Sequence, residues 1–190
     1  MSRPVSDRPV TALHCIRRDQ LEALLAARPD GPYDRVDRAL WLAAGFAGMR
    51  LGELLELRWN QLDWIDSRIL APGRVVPLHD RVGQALDAVS DASEAPDQLV
   101  FRDPVSGGPL SRRGVLARLR RACVRAGVPP PRTFDDLRTG FAVACAQAGV
   151  PLDELARWLG VRLAAVEQFA AFTPQSNPAQ RIARVFGGIE

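Results

Sequence analysis

Residues Gly48 to Trp64 read "GMRLGELLELRWNQLDW". A glycine and Met49 lead into an arginine and a short leucine-rich run from Arg50 to Leu57. Leu51, Leu54 and Leu55 recur at helical spacing, so the run predicts a short helix with one face turned inward. Then the period changes. "LRWNQLDW" and the following "SRILAPGRVVPL" read as short strands, and Pro72-Gly73 is the turn of a tight hairpin. An arginine at the head of a helix that runs into a small sheet is the unit around which the rest is arranged.

Outward from that unit the pattern is helical. Before it, helices are predicted from about Asp19 to Ala27 and from Tyr33 to Ala47, the second with Val36, Leu40, Ala43 and Ala44 on one face. After it come a helix over Arg81 to Ser90 and a long loop over 91–110 with a possible strand at "QLVF". Ser111 is a good N-cap for a helix to Ala126, with Gly127 at its C′ position. Val115, Leu119, Ala122 and Ala126 form the apolar stripe of that helix, and Arg118, Arg121 and Arg125 form another face. Past Pro129-Pro130-Pro131, Thr133-x-x-Asp136 opens a helix to Ala148 as a capping box. Asp153 to Leu159, Leu163 to Phe172 and Gln180 to Phe186 complete the series. The expected fold is mainly α with one small antiparallel sheet.

Composition narrows the function. The chain has 190 residues, enough for one domain with a core. No apolar run approaches the ~18 residues of a membrane span and no signal segment follows Met1, so a cytoplasmic protein is expected. Cys15, Cys123 and Cys145 are odd in number and widely spaced, and His14 and His79 lie far apart. No metal site and no cofactor are expected. All 25 basic residues are arginine, through codon bias or as a guanidinium-rich surface. Between Pro104 and Thr133 stand Arg112, Arg113, Arg118, Arg120, Arg121, Arg125 and Arg132 with no acid. Such a block marks either a polyanion partner or a solvated helix face.

Two motifs together resemble the catalytic domain of the tyrosine recombinases, the phage-integrase family. The pattern G-[LM]-R-x-x-E-L-x-x-L-x-W is met by Gly48, Met49, Arg50, Glu53, Leu54, Leu57 and Trp59. In "TFDDLRTGFAVACAQAGVPLDELARWLGV", Asp136-Leu137-Arg138, Phe141-Ala142, Gly149 and Trp158-Leu159-Gly160 meet the second pattern. The resemblance covers residues 12–174, with 1–11 as a loose start and 175–190 as a C-terminal tail. Only about a dozen residues precede it, so no core-binding domain is expected and DNA affinity should be modest without a partner.

The resemblance implies a chemistry. In the family a tyrosine hydroxyl attacks a DNA phosphodiester, while two arginines hold the non-bridging oxygens through parallel hydrogen bonds. A histidine or tryptophan and a hairpin lysine assist. Arg50 and Arg138 match the two arginines. Asp135 stands at the histidine, Val161 at the His/Trp position, only Arg74 follows the shortened hairpin turn, and Phe169 stands at the nucleophile. Tyr33, the single tyrosine, lies far away in the domain order.

The expectation is therefore a catalytically inactive recombinase-like protein, regulatory or accessory to DNA recombination or integration. It binds double-stranded DNA through Arg50, Arg138, Arg113, Arg118, Arg120, Arg121 and Arg125. Two alternatives stand beside it. One is a protein that joins or inhibits an active recombinase without touching DNA. The other is residual strand cleavage by a displaced nucleophile. Asp135 either pairs with Arg138 or only favours its helix N-terminus; Arg50 either meets phosphate or bridges to Glu53 or Asp135. The tail either docks on a neighbouring subunit or packs on its own domain.

Overall fold

Helix α2 (Asp34–Ala47) is apolar on most of its circumference, and the chain is wrapped around it. Leu40, Trp41, Leu42, Ala43 and Ala44 are all but sealed from solvent. A computed structural model describes residues 14–27, 31–90, 95–129 and 132–174. Helices α1 (Arg18–Ala26), α3 (Leu51–Glu56), α4 (Asp80–Asp87), α5 (Arg112–Arg125) and α6 (Phe134–Gln147) all pack on α2. Helix α7 (Leu152–Leu159) and the short α8 (Leu163–Val166), which runs into a 3-10 turn over Glu167–Phe172, pack with α6 around a second apolar cluster. The tail at 175–190, with its expected helix at Gln180 to Phe186, lies outside the described residues, as does the loose start.

Strands β1 (Leu62–Asp63), β2 (Arg68–Ala71) and β3 (Arg74–Pro77) form an antiparallel sheet in that order. Leu62, Ile69 and Val76 are aligned in register and buried on one face. The fold is thus mainly helical with one small antiparallel sheet, as the sequence predicts. Two expected strands are shorter than expected. Of "LRWNQLDW" only Leu62 and Asp63 join the sheet as a strand. The Gln61 side chain accepts the Arg58 backbone N–H at 2.9 Å and winds Trp59–Gln61 into a 3-10 turn, a local bond that competes with the ladder. "QLVF" makes one isolated bridge, Leu99 to Arg58.

Candidate phosphate-binding site

The motif around Arg50 is a helix junction. Gly48 ends α2 at φ +62, the left-handed conformation that glycine adopts without strain. A Cβ there would also stand 2.7 Å from the Phe141 ring. Met49 is buried as an anchor, and Arg50 becomes the N-cap of α3. Glu53 reaches back to accept the Arg50 backbone N–H at 2.8 Å and its Nη1 at 2.8 Å. Arg50 pairs with Glu53, not with Asp135.

Arg138 lies in the first turns of α6, whose start is the predicted capping box: Thr133 Oγ1 accepts from Asp136 N, and Asp136 accepts from Thr133 N at 2.6 Å. Its guanidinium donates to Gly48 O at 2.7 Å and Leu159 O at 2.5 Å. Arg50 Nη2 donates to Gly160 O at 3.1 Å, and Arg74 Nε to Trp158 O at 2.7 Å. Three consecutive carbonyls at the end of α7 therefore each accept from a different arginine. A helix C-terminus offers unpaired carbonyls and partial negative charge, which suits guanidinium groups.

The electrostatics are unbalanced. Arg50 and Arg74 share one bonded carboxylate, Glu53, and Arg138 has none, meeting Glu53 only as a nearby charge. Although burial opposes it, hydrogen bonds from both Arg74 and Arg50 hold the Glu53 carboxyl down at about 2. Arg138 is pushed down to about 10, first by burial and then by the charges of Arg50 and Arg74. It stays charged at neutral pH, but in surroundings that favour an added anion. Arg50 is 42% exposed, and it borders a hollow of about 410 Å³ together with Gly52, Arg112, Thr133 and Asp135. A larger groove of about 1120 Å³ opens on its other side, between the hairpin and the end of α7.

The positions matched to the family's reactive groups lie as follows. Asp135 is exposed, and its side chain makes no hydrogen bond or ion pair among the described residues; it acts on Arg138 only as a charge that supports the cation. Val161 is half-buried against the second cluster. Phe169 is 5% exposed and packs there among Val143, Leu155, Leu159 and Val166. Tyr33 precedes α2 at the end opposite Gly48. The 14 residues of that helix separate it from Arg50 by about 20 Å. Its hydroxyl donates to Asp103 at 2.8 Å.

On α5, Arg113, Arg120, Arg121 and Arg125 are exposed. Arg118, expected beside Arg121 and Arg125, is turned inward: its Nε donates to both oxygens of the fully buried Asp37 at 2.8–2.9 Å. Its guanidinium also lies 4.1 Å above the Tyr33 ring. Sequence reasoning missed the joint between Arg74 and Glu53. A signal existed, since Glu53 is the one acid that the motif pattern specifies and Arg74 the one charge beside the hairpin turn. The three cysteines are free thiols. Among the described residues no cluster of His, Cys, Asp and Glu is arranged to hold a metal, and no helix is long and apolar enough to cross a membrane.

Comparison with known proteins follows the same lines. The sequence profile of the phage integrase family matches residues 14–166. The tyrosine recombinase XerC of Xanthomonas axonopodis pv. citri is 32% identical over 116 residues, 58% of this chain and 38% of that protein. XerC of Haemophilus ducreyi is 29% identical over 153 residues, 76% of this chain and 50% of that protein. The chain thus spans about two fifths to one half of the length of these curated relatives. Among solved structures, XerA recombinase superposes with a TM-score of 0.71 at 20% identity, over 100% of this chain and 67% of that one. The catalytic domain of bacteriophage HP1 integrase gives 0.67 at 19% identity, over 93% and 96%.

Proposed function

Because the chain belongs to the phage integrase family, we propose that it is a DNA-binding member that grips a backbone phosphate without cutting it. Its role is then regulatory or accessory to DNA recombination or integration. The observation that carries this reading is a contrast between the matched arginines and the matched nucleophile position. Arg50 and Arg138 arrive from different helices and meet at the end of α7, while the position matched to the nucleophile holds the buried ring of Phe169.

The physical argument has two parts. Guanidinium groups that outnumber their carboxylate favour an anion, and a planar fork suits the two non-bridging oxygens of a phosphodiester. Without a hydroxyl at residue 169, and with a carboxylate and an alkyl group at Asp135 and Val161, the bound phosphodiester meets no nucleophile. Arg113, Arg120, Arg121 and Arg125 add attraction to duplex DNA that ignores sequence. Residues 12–174 form the binding domain in this reading, and 175–190 its tail.

A duplex carrying a nick beside the cleavage position traps covalent intermediates. The expected result is binding that weakens steeply with salt and no protein–DNA adduct. The relatives carry the name recombinase, so a covalent adduct would make this chain an enzyme like them and end the proposal. A second reading is favoured by the exposed apolar pair Leu70 and Val75 on the outer face of the hairpin. In that reading the chain joins or inhibits an active recombinase with no DNA contact. Co-purification that survives nuclease treatment, together with no duplex binding, selects it.

A further inference from the structure

Arg74 opens β3 immediately after the hairpin turn, and its side chain is only 4% exposed. A buried guanidinium is costly unless its donors are matched. Here Nε takes Trp158 O, Nη2 takes Glu53 Oε2 at 2.7 Å, and Nη1 takes Glu53 Oε1. Both oxygens of Glu53 are therefore held by one fork. The same carboxylate accepts the backbone N–H and Nη1 of Arg50, so it is the joint between the two arginines.

The backbone leaves Arg74 little freedom. Ala71 and Arg74 are register partners, and only Pro72 and Gly73 lie between them. On the other side, a Cβ at Gly160 would stand 2.7 Å from Arg74 Cδ. Gly160, at φ +60, lets the end of α7 close over this side chain. The hairpin lysine that the family uses as an acid has no counterpart in this arrangement. A guanidinium forked on a carboxylate gives up no proton near neutral pH.

We propose that Arg74 is a positioning residue for the phosphate site: it holds Glu53 where that carboxylate fixes the direction of Arg50. This rests on the reading that Arg50 grips a DNA phosphate. Arg74 itself does not touch the DNA. With Glu53 released, Arg50 would remain present but would lose the shorter of the two bonds that hold its side chain, keeping only the one to Gly160 O.

Duplex affinity at low salt is measured for the full chain, Arg50→Met, Arg74→Met and the double variant, with circular dichroism to confirm folding. Arg74→Met is expected to weaken binding about tenfold alone and under about twofold beside Arg50→Met, because its effect travels through Arg50. Equal weakening in both backgrounds, or none in either, overturns the proposal. In parallel, carboxyl-carbon NMR follows Glu53, whose titration is expected to rise from about 2 toward its ordinary 4.5 in Arg74→Met. The Arg50 amide shift should track it. Where Arg74→Met does not fold, Arg74→Lys takes its place; it keeps the charge but loses the fork, and both readouts should move the same way by less. A Glu53 titration indifferent to residue 74 overturns the proposal. A native chain that binds no duplex overturns the phosphate reading instead, and the Glu53 titration with the Arg50 amide still decides whether Arg74 sets this joint.

Discussion

Arg118 and Arg121 stand one turn apart on α5, yet the first is locked to a buried aspartate and the second faces water. The same division runs through the whole molecule. Arg74, Arg118 and Arg138 are built into the fold, while Arg113, Arg120, Arg121 and Arg125 lie on its surface. A run of arginines is therefore not one surface. What separates them is whether a carboxylate or a helix end from elsewhere meets the guanidinium, because a charge leaves water only when paired.

The comparison can be broken most easily at Arg118. Replacing it with Ala leaves Asp37 buried and unpaired, and removes the cation above the Tyr33 ring. A loss of about 3–5 kcal/mol is expected in urea unfolding. A loss below ~1 kcal/mol would place Arg118 with the surface group. The next largest effect falls at Glu53. Its carboxyl titrates at about 2 in the folded chain against 4.5 ordinarily. A depressed carboxylate stabilises the fold above its unfolded value and loses that contribution as pH falls through the folded one. Stability should therefore decline between about pH 4.5 and pH 2 by an amount on the order of 3 kcal/mol. Glu53→Gln should remove that dependence and lower stability at neutral pH.

Phe169→Tyr sharpens the proposed contrast between a bound phosphate and a position 169 that carries no hydroxyl. An added oxygen in that apolar cluster should cost about 1–2 kcal/mol, read as a lower melting temperature. No adduct with nicked DNA is expected, since Asp135 and Val161 remain. The smallest effect on the fold belongs to the exposed arginines. Changing Arg120, Arg121 and Arg125 together to Gln should leave stability within about 0.5 kcal/mol. The same change should reduce the slope of log affinity against log salt by about 0.9 for each phosphate that is no longer neutralised.

Which parts of this were legible follows from distance along the chain. The junction at Gly48, the N-cap at Ser111 and the capping box at Thr133 depend on residues within four positions, and the sequence reading placed them correctly. Arg50 and Arg138 were legible as a matched pair because each sits in such a local motif. The inward turn of Arg118 was not, because Asp37 lies 81 residues away. The position of Arg118 on α5, at the edge of the apolar stripe, admits either outcome. Arg74 was illegible for the same reason, its acceptors being 21 and 84 residues distant. The overextended strand at "LRWNQLDW" failed differently: a side-chain amide, absent from any periodicity count, took the backbone donor.

The three carbonyls at the end of α7 also set an order in time. Arg50 and Gly160 are 110 residues apart. A ribosome adding about 5–20 residues per second delivers the first roughly 5–20 s before the second. For that interval the nascent chain carries Arg50, and soon Arg74, with no helix end to receive them. Closure of this corner waits for the synthesis of α7, and a chain stopped before Trp158 would lack all three carbonyls that receive these arginines.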